Sequence, residues 1–122
     1  MKPSKPSFFQ GFSYAYAGII NSIKSEANLK VHLGAACLAI AMGLFFQISS
    51  NEWLWILLVI FLVLAAEVMN TAIESLSNLV SPEYHPLIKK TKDASAGAVL
   101  LLSVFALICG FIIFLPKITA FF

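Results

Sequence analysis

Hydrophobic and polar positions follow different patterns in successive stretches of the chain. Between Phe8 and Lys24, Phe8, Phe12, Ala15, Ile19 and Ile23 recur every three or four residues, with Gln10, Ser13, Tyr14, Asn21 and Lys24 among them. That is the period of a helix with one apolar face, and its length and polarity predict a helix in the membrane interface, 8–24. A nearly unbroken apolar run follows from Leu29 to Ile48, interrupted only by Lys30, His32 and Gln47. Ser49 to Glu52 reads as a four-residue polar turn. Trp53 and Trp55 then open a second run, as residues of an aromatic belt do, and fourteen apolar residues pass before Glu67. The helical pattern continues to Val80, where Ser81-Pro82 predicts a stop. Glu83 to Asp93 reads as a charged connection, with Asp93 a good N-cap for the last run. That run, Ala94 to Leu115, is 22 residues without a charge, and Pro116-Lys117 predicts its end. The elements expected are therefore a surface helix, 8–24, and three transmembrane helices, 29–48, 53–80 and 94–115, in one domain over 1–122.

Composition narrows the class. Apolar residues make up 60% of the 122 and charged residues 11%, against about 25% charged in soluble domains. This excludes a soluble domain, a disordered chain and a nucleic-acid binder, and leaves a small integral membrane protein. Met1 to Gln10 lacks the apolar segment of a cleavable signal, so no leader is expected. Three spans enclose little polar space, so an oligomer is expected. Cys37 and Cys109 lie inside apolar runs and read as packing residues without a disulfide. Seven of the eight lysines (2, 5, 24, 30, 89, 90 and 92) fall on one side of a three-span arrangement, and Lys117 falls on the other. By the positive-inside rule the N-terminus and the loop around Lys90 are cytoplasmic.

The candidate chemistry lies in polar residues at apolar depth. Glu67 sits about 20 Å along the second span, counted at about 1.5 Å per residue, where an acid is by default functional. Glu67, Asn70, Thr71, Glu74 and Asn78 share one helical face, opposite Val68, Ala72 and Leu76, and form a polar stripe descending from the cytoplasmic side. Helix–helix adhesion is the plain alternative for Asn70 or Asn78. Asn28 and His32 share a face where the first span begins. Glu26 beside them is either surface decoration or, opposite Glu74, half of an oxygen site for a divalent cation. Lys92-Asp93, followed by Ala94-Ser95-Ala96-Gly97-Ala98, reads either as a phosphate-binding helix start or as a capped, tightly packed helix. His85 is either a loop histidine without a task or part of that start. No Walker A loop, glycine-rich kinase loop, His-Glu-x-x-His or zinc-type Cys pair occurs.

Three blocks carry a resemblance: Glu26-Ala27-Asn28 with His32; Glu67-Val68-Met69-Asn70-Thr71-Ala72-Ile73-Glu74; and Glu83-Tyr84-His85 through Lys92-Asp93 to Gly97-Ala98-Val99. In a three-span chain they resemble the small prokaryotic diacylglycerol kinase/undecaprenol kinase family, and the middle block is highly specific. The resemblance implies an all-α homotrimer in the bacterial plasma membrane with active sites shared between chains. ATP is the implied donor, Mg²⁺ the cofactor and a membrane lipid alcohol the acceptor. It implies Glu67 as base with Asn70 organising the centre, and Glu26 and Glu74 on metal and phosphates. Tyr14, Glu83, Tyr84, His85, Lys92 and Asp93 join them at the nucleotide, while Asn28, His32 and Ala96 join Glu67 at the lipid. Ser7 and Gln10 depart from the family pattern, standing where an Arg and a Lys occur in some relatives, as does Asn78 where some carry Asp. A reading of another class is a small oligomeric transporter using Glu67 for proton or cation coupling. It leaves Glu74 and the Lys92-Asp93 start without a task.

Overall fold

In the computed structural model, which describes residues 7–122, the chain forms α1 (Phe8–Ser25), α2 (Ala27–Phe45), α3 (Ser50–Val80) and α4 (Pro86–Phe121). The polar start before Ser7, with Lys2 and Lys5, lies outside the described residues. α1 opens on a capping box: the Ser7 hydroxyl accepts from the Gln10 backbone N–H at 3.3 Å, and Gln10 Oε1 accepts from the Ser7 N–H at 2.8 Å. Ser7 and Gln10, two of the three departures from the pattern of the family resembled, thus start the helix, satisfying two orphan donors reciprocally. Glu26 alone separates α1 from α2, in extended backbone with φ −116° and ψ 116°.

α2 ends at Phe45, three residues before the predicted end. Gln47 adopts φ 51°, and the Ile48 N–H reaches back to the Gly43 carbonyl at 3.2 Å, a left-handed helix stop. Gly43 is required there, because a Cβ would lie 2.6 Å from Trp53 Cη2. α3 begins at Ser50 rather than Trp53. Ser49 and Glu52 form a second capping box, with bonds of 3.2 and 3.0 Å, so the expected polar turn is a cap and a first helical turn.

The largest corrections concern α4. The stretch read as a charged connection is helical from Pro86 onward, and Asp93 is not its N-cap. His85 is, its Nδ1 accepting from the Leu87 N–H at 3.1 Å with proline in the first turn, where a missing N–H costs nothing. Asp93 lies two turns inside and pairs with Lys89 Nζ at 2.6 Å. At the far end the helix runs through Pro116 to Phe121. Proline removes one backbone bond, but tertiary contacts hold the last turn. Lys117 Nζ binds Glu52 Oε2 at 2.8 Å, and the Phe121 ring meets Phe45 and Phe46 at 5.5 and 6.2 Å. Hydrogen bonding from Lys117, then from the Ser49 N–H, holds the Glu52 carboxyl below the usual carboxylate range in this polar end outside the apolar run.

α3 and α4 pack antiparallel along most of their length, with α2 against α3 and α1 touching both α2 and α3. The buried core, Ile48, Ile56, Ile113 and Phe114, gathers near the Lys117 end. Leu38, Phe61, Leu101 and Ile112 point outward. α2, α3 and α4 are long and apolar enough to cross a membrane. At 1.5 Å per residue, the 31 residues of α3 and 36 of α4 extend about 46 and 54 Å. Both exceed a hydrocarbon layer of about 30 Å, so their ends stand in water. Lys24, Lys30, Lys89, Lys90 and Lys92 belong to one end of this bundle and Lys117 to the other.

Candidate functional site

The polar stripe of α3 is bonded to both neighbouring helices. Glu67 is buried, with 4% of its side chain exposed, and its Oε1 lies 2.7 Å from His32 Nδ1 of α2. The pair stands off the line of a well-aligned hydrogen bond, and neither atom has another partner among the described residues. One turn on, Asn70 Nδ2 donates to Glu74 Oε1 at 3.4 Å, while Asn70 Oδ1 accepts from the Ser95 hydroxyl of α4 at 2.6 Å. Thr71 donates to the Glu67 carbonyl at 3.1 Å. At the water end Lys92 Nζ binds Asn78 Oδ1 at 2.5 Å. With Lys117–Glu52 at the opposite end, these contacts set the antiparallel register and bring Glu67 level with the start of the uncharged part of α4. The i, i+3, i+4 spacing of the stripe places these groups on one face, and the small residues around Ser95 let α4 come close enough to bond them.

Beyond the stripe, the short α3–α4 connection and the first turns of α4 form a cleft of about 350 Å³. It unites five sequence candidates, Glu83, Tyr84, His85, Lys92 and Asp93, with Ser81 and Lys89. Lys89 was not singled out from the sequence. Its place four residues before Asp93 was the available signal, and it supplies the ion pair Asp93 makes. The Ser81 hydroxyl donates to the Glu83 carbonyl at 3.0 Å and shapes the turn. The cleft therefore presents two ammonium groups, backbone at a helix N-terminus and an exposed aromatic ring, Tyr84. Glu83 and Asp93 offset the two lysines, Asp93 pairing with Lys89, so what favours an anion here is the helix start with Lys92 rather than a net positive charge.

Other candidates are not gathered in the same way. Tyr14 lies exposed on α1, Asn28 on α2 and Ala96 on α4. Glu26 is half-buried at the α1–α2 break and caps nothing with its side chain. Among the described residues no three His, Cys, Asp or Glu side chains come together as a metal cage. Neither Glu26 nor Glu74 is ion-paired among the described residues. Cys109 is buried, as a packing residue is, whereas Cys37, read the same way from the sequence, is exposed.

On the apolar side, a groove of about 530 Å³ runs between α2, α3 and α4 from His32 past Ala39 and Val63 to Phe114 and Ile118. His32 is the polar residue at one end of it, and Glu67 stands behind the lining, 2.7 Å from His32 Nδ1. The Ser103 hydroxyl, also buried and without a partner among the described residues, faces the same space midway. Thus a buried acid stands between a polar cleft at the end of the bundle and an apolar groove along it.

A model of the prokaryotic diacylglycerol kinase family matches residues 13–114, a stretch containing every residue of the stripe and the cleft. Over 111 residues the chain is 40% identical to an undecaprenol kinase of Bacillus subtilis (strain 168), covering 91% of this chain and 90% of that one. It is 32% identical over 114 residues to a diacylglycerol kinase of Synechocystis, covering 93% of this chain and 65% of that longer relative. Identity to a diacylglycerol kinase of Escherichia coli (strain K12) is 26% over 95 residues, 78% of each chain.

Proposed function

The chain belongs to the prokaryotic diacylglycerol kinase family, and from that premise we propose that this lipid kinase transfers the γ-phosphate of ATP to the hydroxyl of undecaprenol. The observation that carries the reading is buried Glu67 lying 2.7 Å from His32, the polar residue at the end of an apolar groove. A lipid alcohol with its tail along the groove brings its hydroxyl to that carboxylate. Nucleotide phosphates reach the same stripe from the cleft edged by Lys89 and Lys92. Phosphoryl transfer asks mainly for such positioning and for charge neutralisation. Glu67 takes the hydroxyl proton as the lipid oxygen bonds to the γ-phosphorus. Asn70, held from α4 by Ser95, keeps Glu74 in place below it. His32, Asn28 and Ala96 line the lipid approach, and Tyr14, Glu83, Tyr84, His85, Lys92 and Asp93 form the nucleotide side.

Undecaprenol as the acceptor is supported by the relatives and the groove together. The relative matched at 40% over nine-tenths of both chains is named for undecaprenol, and one groove accommodates one tail, whereas diacylglycerol carries two. The family implies Mg²⁺, and the donor set fits it. Glu26 and Glu74 are hard oxygen donors without an ion-pair partner among the described residues, and Mg²⁺ commonly takes one or two carboxylates plus substrate phosphates rather than a protein cage. When bound there it neutralises phosphate charge. We place the N-terminus and the cleft on the cytoplasmic side of the plasma membrane, with α1 on its surface. In a homotrimer of this single domain, exposed Tyr14 and half-buried Glu26 complete a neighbour's site. The transporter reading has no support from the relatives, which are kinases.

The test uses the purified protein in lipid micelles with γ-labelled ATP and Mg²⁺, and undecaprenol or diacylglycerol in separate tubes. Label is expected in both lipids, faster in undecaprenol. Faster labelling of diacylglycerol reverses the acceptor assignment, and no transfer to either refutes the kinase reading.

A further inference from the structure

We propose that His32 is the proton outlet of Glu67: it orients the carboxylate and receives from it the proton that leaves the lipid hydroxyl. The inference rests on the kinase reading and on three observations. His32 Nδ1 and Glu67 Oε1 face each other at 2.7 Å, neither has another partner among the described residues, and the two side chains differ in exposure, 25% for His32 against 4% for Glu67. A base that is buried must be reset after each turnover, because the proton it gains has no direct contact with water. His32 is the ionisable side chain in contact with it, and a quarter of the histidine's side chain is exposed. It lies where an imidazole accepts at one nitrogen and releases from the other.

The balance is as follows. The lipid oxygen forms a bond to the γ-phosphorus as the bond from that phosphorus to the β-bridging oxygen breaks, and ADP leaves with the electron pair. The hydroxyl proton passes to a Glu67 oxygen. The carboxyl turns about its Cγ–Cδ bond and gives the proton to bare Nδ1 of His32 in its Nε2–H form. The imidazolium returns a proton to water from Nε2, and the ring then exchanges its Nδ1 proton with water for one at Nε2, so that Nδ1 is bare for the next turnover. The near but unaligned approach of the two groups suits a carboxyl that must turn. α3 presents Glu67 to His32. α4 offers no ionisable group between Ala94 and Leu115 except Cys109, and α1 offers Lys24 on its exposed last turn. Lys30 on α2 itself is exposed. No second base competes for the proton at this depth.

The test compares wild type, His32→Ala and His32→Gln as full-length protein in micelles, with γ-labelled ATP and undecaprenol or diacylglycerol. Wild-type transfer to either lipid is the condition for the kinase reading, and its absence counts against that reading rather than against His32. His32→Ala is expected to lose about 10²-fold in kcat, the low end for acid–base groups, with the KM for ATP unchanged. Added imidazole and ring-substituted imidazoles restore turnover in the order of their basicity. His32→Gln, which keeps a polar group toward Glu67 but cannot carry a proton, is expected to be as slow as the alanine variant. Wild-type turnover in His32→Gln overturns the proposal, and so does a slow His32→Ala that ignores imidazole, because packing alone then explains the loss.

Discussion

Glu67 is buried on the middle of a helix whose preceding fourteen residues are apolar, so its carboxylate is retained against a cost of several kcal/mol at such a depth. Its single polar neighbour is His32, whereas Glu74 lies two turns toward water and is held by Asn70. The two acids are therefore expected to fail differently. Glu67→Gln lowers kcat by about 10²–10⁴-fold with the unfolding midpoint in detergent unchanged or raised. Glu74→Gln leaves measurable turnover but raises the Mg²⁺ concentration needed for half-maximal rate. A Mg²⁺ titration of both variants beside wild type checks this. Much of the site was legible at this scale, because the 67, 70, 71, 74, 78 spacing places its members on one face without any tertiary information. The partners across helices were not legible. Nothing in the order of residues says that Ser95 bonds Asn70 or that Lys92 reaches Asn78, since both depend on the register of α3 against α4.

At the scale of elements, the apolar runs announced three long helices, but their ends were set by local chemistry that apolar periodicity does not report. Ser7 with Gln10 and Ser49 with Glu52 are capping boxes hidden inside what read as polar segments. His85-Pro86 outcompeted Asp93 as a start because proline suits the first helical position, and lysine–aspartate spacing of four suits a helix interior. Pro116 failed to stop α4 because Lys117 and Phe121 bind residues of other elements. The α2–α3 corner depends on one residue. Gly43→Ala gains roughly 1 kcal/mol of helix propensity but drives a methyl to 2.6 Å from the Trp53 ring, and overpacking of this kind costs about 1–3 kcal/mol. A net destabilisation of about 1 kcal/mol is expected, read as a lowered unfolding midpoint in detergent. A Gly43→Ala, Trp53→Leu double variant recovers most of it.

For the whole molecule, the placement of five described lysines at one end and Lys117 at the other makes the orientation testable. Asn51 and Thr91 are exposed at opposite ends of the bundle. In intact spheroplasts a membrane-impermeant maleimide is expected to label Asn51→Cys, while Thr91→Cys reacts only after the membrane is opened. The reverse pattern inverts the topology. Native Cys37 and Cys109, inside long apolar helices, are replaced by alanine in both variants to remove background.

Adjacent helices of this bundle disagree about how thick the membrane is. The uncharged stretch of α3 before Glu67 measures about 20 Å at 1.5 Å per residue, and that of α4 about 33 Å, yet the two are bonded side by side at both ends. A bilayer cannot match both lengths, so the depth of Glu67 is a compromise that the surrounding lipid can shift. A thicker bilayer draws the acid and its polar neighbours on the stripe away from water, and a thinner one floods them and strands the apolar flank of α4. Mismatch of this kind costs fractions of a kcal/mol per Å. Turnover in bilayers of graded acyl length is therefore expected to pass through a maximum, making the enzyme a gauge of the layer it inhabits. A flat profile across that series would mean that α4 alone sets the depth.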